Sequence, residues 1–137
     1  MSADLAFQKA IRARLVEAAG VIALVPAGSI LDRNARPAPD PSIIIGEDQT
    51  VDEERISRNV LRIYSTLHVW KKEPSLVGVK AIAGAIRVAI HESRLSLDSG
   101  FECGDCLVSS VRYMRDPDGE TSHGVVTVEA LISEVVS

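Results

Sequence analysis

Asn59-Val-Leu-Arg-Ile-Tyr-Ser-Thr-Leu-His-Val-Trp70-Lys-Lys72, followed by Glu73-Pro74 and then by Ser75-Leu-Val-Gly-Val-Lys-Ala-Ile-Ala-Gly-Ala-Ile-Arg-Val-Ala-Ile90, carries two successive periodicities around which the rest of the chain is arranged. In its first half Leu61, Ile63, Ser65, Leu67 and Val69 fall on one face, and Arg62, Tyr64, Thr66, His68 and Trp70 on the other. That period of two is the signature of a half-buried strand. After Pro74 the period changes: Leu76, Val79, Ala83, Ile86 and Ile90 recur at helical spacing, widened by Ile82 and Ala89, and Pro74-Ser75 is helix-start chemistry. A strand over 59–72 therefore feeds an amphipathic helix over 75–90 that folds back onto the strand's apolar face.

The strand's second face bears on function. Fourteen extended residues span about 45 Å, more than one small subunit's core covers. Tyr64, His68 and Trp70, interleaved with Thr66, make an amphipathic aromatic surface of the kind enriched at protein contacts. Spacing alone leaves two readings open: a contact face toward another molecule, or a face lying under a second layer of the same chain.

Composition sets bounds. The 137 residues read as a single domain over 1–137, long enough to bury about two-thirds of the unfolded chain's surface. Apolar residues make up 46%. No uninterrupted apolar run approaches the roughly 20 residues of a membrane span, and the N-terminus lacks a signal-peptide layout. The expectation is a soluble protein made in a cytoplasm, without a membrane partner. A net charge of -4 argues against a protein that grips nucleic acid, which needs clustered Lys and Arg. Charge is uneven: Glu47, Asp48, Asp52, Glu53 and Glu54 are followed at once by Arg55, Arg58 and Arg62. The plain reading is a solvated acidic loop; the functional one is a charge-complementary contact between neighbouring subunits.

Elsewhere, residues 3–19 predict a helix with Phe7, Ala10, Ile11, Leu15 and Ala18 on one stripe and Gly20 as its stop. Val21–Val25 reads as one further turn. Pro37, Pro39 and Pro41 make an ordered surface connection, because they remove donors and constrain their predecessors. Ser42–Gly46 predicts a short strand buried on both faces, and Leu107–Arg115 and His123–Val136 predict a hairpin turning through Asp116-Pro-Asp-Gly119. The order is helix, strand, strand, helix, strand, strand: an α+β fold with a mainly antiparallel sheet and two main helices on one side.

No motif carries chemistry. Cys103-Gly-Asp-Cys106 lacks a second ligand pair for structural zinc and sits between a helix and a strand, the reverse of a thioredoxin-type site, so the thiols read as ordinary buried or turn cysteines. A reducing cytoplasm would keep them unpaired. His91-Glu-Ser-Arg-Leu95 opens like a zinc-protease helix, but Leu95 stands where the second His belongs. His91 shares a helix face with Lys80, Arg87 and Arg94, a basic solvated or partner-binding face. Asp116–Glu120 fails as a calcium loop, because Gly119 is misplaced and Thr127 replaces the terminal Glu. Neither a glycine-rich phosphate loop nor a nucleophile elbow is present, so no catalytic residue, metal or cofactor is assigned.

The N-terminal helix, the Ile30-Leu-Asp-Arg-Asn-Ala-Arg-Pro37 connection leading to Pro41-Ser-Ile-Ile-Ile-Gly46, the Asn59–Lys72 strand, the Ser75–Ile90 helix and the terminal hairpin together resemble small phage tail-completion proteins, and within them the tail terminators of alphaproteobacterial gene transfer agents. The likeness spans nearly the whole chain. It implies a structural virion protein at the head–tail junction, assembled in the bacterial cytoplasm. Such a protein is a hexameric ring that caps the tail tube, stops its growth, meets the head-side connector or stopper and lets DNA pass through its lumen without binding it specifically. It implies no enzyme. A ring needs two different matching patches. The candidates are the acidic Glu47, Asp48, Asp52, Glu53 and Glu54 against Arg55, Arg58, Arg87 or Arg94; Tyr64, His68 and Trp70 are candidates for subunit or tube contacts; and Asp116, Asp118, Glu120 and His123, taken as the hairpin tip, for an adjacent ring. Two rival readings are a monomeric adaptor that binds one partner by strand addition and a small Cys/His metal protein.

Overall fold

The computed structural model describes residues 2–52 and 59–135. Helix α1 (Ala3–Glu17) is followed by a single helical turn, α2 (Ala19–Ile22), a 3-10 turn at Ala27–Ser29 and a two-residue strand, β1 (Ile30–Leu31). Then come β2 (Ser42–Asp52), β3 (Val60–Lys71), α3 (Val77–His91), β4 (Phe101–Arg115) and β5 (Ser122–Glu134). The sheet order is β1-β2-β3-β5-β4, antiparallel except for β1 beside β2. Helices α1 and α3 lie on one side, so the chain has the α+β architecture its patterning predicts.

The alternation in β3 fixes which side. Ile63, Leu67 and Val69 are fully buried, opposite Ala130, Val126 and Gly124 of β5. Onto this surface α3 lays Val79, Ile82, Ala83, Ile86, Ala89 and Ile90, and α1 lays Phe7, Ile11 and Leu15. Each large aliphatic or aromatic side chain so covered contributes about 1.5–3 kcal/mol. Val77 and Val88, on the far side of α3, stay 71% exposed. Among the described residues no helix is long and apolar enough to cross a membrane.

Local chemistry sets the boundaries. Ser2 caps α1 by accepting from Leu5 N, but the helix stops at Glu17 because Ala18 turns extended, and Gly20 lies inside α2 instead of ending α1. Helix α3 starts at Val77, later than the expected Ser75: the Ser75 hydroxyl accepts from Val77 N and the Glu73 carboxylate from Gly78 N, both at 3.1 Å, so Ser75 caps from outside the helix. At its other end the Arg14 guanidinium donates to Ala89 O (2.7 Å), Ser93 O (3.0 Å) and Arg94 O (3.2 Å). A residue of α1 thus satisfies one carbonyl of the last turn of α3 and ties down the segment that follows it. The proline connection is tied down where Asp40 accepts from Lys72 N at 2.8 Å.

Two expectations need correction. The acidic segment from Glu47 to Asp52 is not a solvated loop. After a bulge between Ile45 and Asp48, β2 continues, pairing Asp48 with Ser65 and Asp52 with Leu61. Backbone pairing with an overlong β3 stabilises it without burying side chains, so its polar sequence conceals a strand. Glu53, Glu54, Arg55 and Arg58 lie outside the described residues. Strand β4 begins at Phe101, well before Leu107, which puts the Cys103–Cys106 motif inside a strand instead of between helix and strand. Bulges between Cys103 and Cys106 and between Val108 and Ser110 break the period of two that marks a strand in sequence. Strand β1 is too short to show any period at all.

Candidate functional site: the outer face of the sheet

On the face turned away from the helices, β3 presents Arg62, Tyr64, Thr66, His68 and Trp70 in register with Leu131, Glu129, Thr127, Val125 and His123 of β5. All five β3 side chains are half-buried. The second-layer reading of this face therefore does not hold for the described residues: neighbouring strands shield these side chains sideways, while their tips remain accessible. Near the far end Arg62 donates to Glu129 at 2.8 Å, with the two side chains 27% and 17% exposed. The charges at that end are neutralised within the face.

At the other end the register brings three rings together. Trp70 and His123, paired across β3 and β5, stack with centroids 3.7 Å apart and planes at 7°. His68 Nδ1 lies 2.9 Å from His123 Nε2, with ring centroids 5.1 Å apart and planes at 26°. Nearly coplanar rings at that centroid distance meet edge to edge. On its other side His68 Nε2 donates to Glu47 Oε1 at 2.8 Å. The result is a continuous chain, Glu47–His68–His123–Trp70, crossing β2, β3 and β5.

The backbone makes room for it. A Cβ on Gly46 would stand 2.7 Å from His68 Cδ2 and 3.0 Å from Nε2, so the residue before Glu47 has no side chain where the imidazole passes. Asp32 and Arg33, from the connection after β1, border the same shallow groove of about 570 Å³ together with Glu47, His68, Trp70 and His123.

Electrostatics follow. The hydrogen bond from His68 holds the Glu47 carboxyl below its usual range. Burial, and then the proximity of His68, hold the His123 imidazole below its ordinary value. Because His68 Nε2–H faces a carboxylate, its Nδ1 either accepts from a neutral His123 or, when His68 is a cation, donates to it. Both ring nitrogens of His68 are thereby committed, which suits a proton-sharing structural link and not a base that activates a nucleophile.

The remaining sequence-derived candidates are dispersed. Asp48 sits just past the β2 bulge, where burial and Asp4 push its carboxyl up; Asp52 is exposed near the strand's end. Arg87 is exposed on α3, whereas Arg94 follows the end of that helix. The expected basic face of α3 is broken: Lys80 sits over the Tyr113 ring at 5.5 Å, and His91 Nε2 accepts from Val108 N at 2.9 Å, tying the helix end to β4. In the β4–β5 turn Asp118 accepts from Glu120 N, Thr121 N and Thr121 Oγ1, which lowers its carboxyl pKa and turns it inward on the turn; Glu120 is exposed, and Asp116 accepts from Gly119 N. His123 belongs to β5 as Trp70's partner and is not at the tip. Its role could not be read from sequence, because strand register joins residues more than fifty positions apart. Among the described residues no three His, Cys, Asp or Glu side chains are disposed to hold a metal ion.

No curated protein matches this chain. Among solved structures it resembles a chain of the virion of a native gene transfer agent particle, at 16% identity over 96% of this chain and 98% of that one, with a TM-score of 0.83. It also resembles the bacteriophage SPP1 gp17 protein, at 22% identity over 98% of this chain and 92% of that one, with a TM-score of 0.63. At these identities the likeness is one of fold. The family model of the tail completion protein gp17 matches residues 9–133, and the chain belongs to that family.

Proposed function

We propose that the protein is a structural virion component that closes into a hexameric ring on the end of a tail tube, stops its growth and joins it to the head-side connector, with DNA passing through the lumen. The observation that carries this reading is the outer face of β3 and β5, an aromatic and charged surface on overlong strands that the chain itself leaves half-exposed. Membership of the tail completion family and the fold shared with a gene transfer agent particle support it. The function is exercised through contacts and needs no catalytic group.

The charge distribution suits a ring. Exposed Asp52 lies on β2, toward one edge of the sheet, while α3, which carries exposed Arg87, packs chiefly on β4 at the opposite edge. Opposite charges at opposite edges are what a head-to-tail contact requires. At the β4 edge strand addition fits less well, since the two bulges in β4 interrupt the ladder that edge would offer.

Light scattering on the purified protein, with and without the tail-tube protein, tests the reading. A closed oligomer of hexamer mass in either condition supports it, and a monomer in both overturns it. Within the ring, Asp52→Arg should impair assembly and Arg87→Asp, added to it, should restore it.

A further inference from the structure

The Cys103–Cys106 motif plays no part in the proposed ring, yet its placement is specific. Residues three apart on a regular strand point to opposite faces. Here the bulge inserts one residue, so Cys103 stands opposite Ile132 and Cys106 opposite Ala130, and both cross-strand partners are buried core residues on the helix-facing side. Cys103 is buried and Cys106 half-buried, and both pack against the same core beneath the α3–β4 connection. Both are free thiols.

We infer that Cys103 and Cys106 form a redox-active dithiol that closes to an intrastrand disulfide across the β4 bulge when the protein meets an oxidised low-molecular-weight disulfide such as oxidised glutathione. The half-exposed residue reacts first. The Cys106 thiolate attacks one sulfur of the reagent, its S–S bond breaks, and one glutathione leaves as a thiolate that takes up the proton Cys106 lost. Cys103, buried and adjacent, then attacks the Cys106 sulfur and releases the second glutathione. Two protein thiols are oxidised by two electrons, and one glutathione disulfide is reduced to two thiols. Exposure, not acidity, sets the order: the neighbouring Cys103 and burial raise the Cys106 thiol, so its attack is slow. The Cys106 S–H before it reacts, and then a backbone hydrogen bond at Leu95 and the cations of Arg94 and Arg14, favour the Cys103 thiolate that resolves the mixed disulfide.

The chemistry belongs to the isolated chain. Only its setting rests on the tail reading: a particle assembled in a reducing cytoplasm and then released would pass from the dithiol to the disulfide, pinning β4 at its bulge after assembly.

Intact-mass spectrometry of the purified protein tests this without any tube protein, so the result is independent of ring formation. After incubation with oxidised glutathione, the wild-type chain should lose the mass of two hydrogens and both iodoacetamide-reactive thiols, and dithiothreitol should restore them. Cys103→Ser should stop at one glutathionyl adduct on Cys106, and Cys106→Ser should remain unmodified. A wild-type chain that stays reduced, halts at the mixed disulfide or forms disulfide-linked dimers would overturn the inference, and that result does not depend on how the variants fold.

Discussion

The imidazoles of His68 and His123 meet edge to edge, Nδ1 to Nε2 at 2.9 Å, and a hydrogen bond of this kind holds one proton between two rings. Protonating both would set two cations against each other across that distance. Glu47 at one end and the Trp70 ring at the other keep the pair in place.

Stability should therefore fall as the solution is acidified through the histidine range. The His123 imidazole is held below its ordinary value of 6.5, so between its folded value and 6.5 the unfolded chain binds more protons and stability rises with pH. The contribution is fully present above 6.5 and is lost as pH falls toward the folded value. Thermal unfolding of the wild type and of His123→Gln across this window checks it: the variant should show the flatter dependence, and equal slopes would count against the assignment.

Gly46→Ala should destabilise by about 1–3 kcal/mol, the usual cost of overpacking. The new methyl group would meet the His68 ring at 2.7 Å and push it out of line with Glu47 and His123. Urea unfolding in a His68→Ala background should show a smaller penalty, since the colliding ring is gone.

Arg14→Met should cost about 1–3 kcal/mol, because Ala89 O in the last turn of α3 and the acceptors of the segment after it lose a charged donor in partly exposed surroundings. The fork donates to Ala89 O, Ser93 O, Ser93 Oγ and Arg94 O. Arg14→Lys should recover only part of that in denaturant titrations, as an ammonium cannot spread over the same acceptors.

Ser65→Ala should leave stability unchanged or raise it by up to about 1 kcal/mol, because a buried hydroxyl without a partner gains nothing from its polarity. Ser65 lies on the core side of β3, 2% exposed, and its hydroxyl has no hydrogen-bond partner among the described residues. Ile63→Ala, on the same face, should cost about 2–5 kcal/mol. A large loss at Ser65 in the same unfolding series would show that its hydroxyl is bonded after all.

In the proposed ring, Trp70→Ala should weaken assembly by about 2–4 kcal/mol, the size expected of an aromatic anchor at an interface. Far-ultraviolet circular dichroism should stay that of the wild-type fold, since Trp70 faces away from the core. Unchanged oligomer mass in this variant would remove Trp70 from the contact.

Periodicity governs the part of the protein that can be read along the chain. The alternation from Leu61 to Val69 and the helical spacing from Val79 to Ile90 specify one apolar face each. Burying those faces against each other is the dominant favourable term, so strand, helix and fold class follow from them. Where burial does not dictate the residue, the pattern is silent: the exposed arm of β2 from Glu47 to Asp52 is a strand through backbone pairing alone, and the bulge at Cys103–Cys106 erases the alternation that would have marked β4. The site, by contrast, arises from long-range contacts. Register sets Trp70 opposite His123, a bulge brings Glu47 to His68, and Arg14 reaches the end of a helix seventy-five residues away. Each depends on side chains brought together by long-range pairing, which no local spacing encodes.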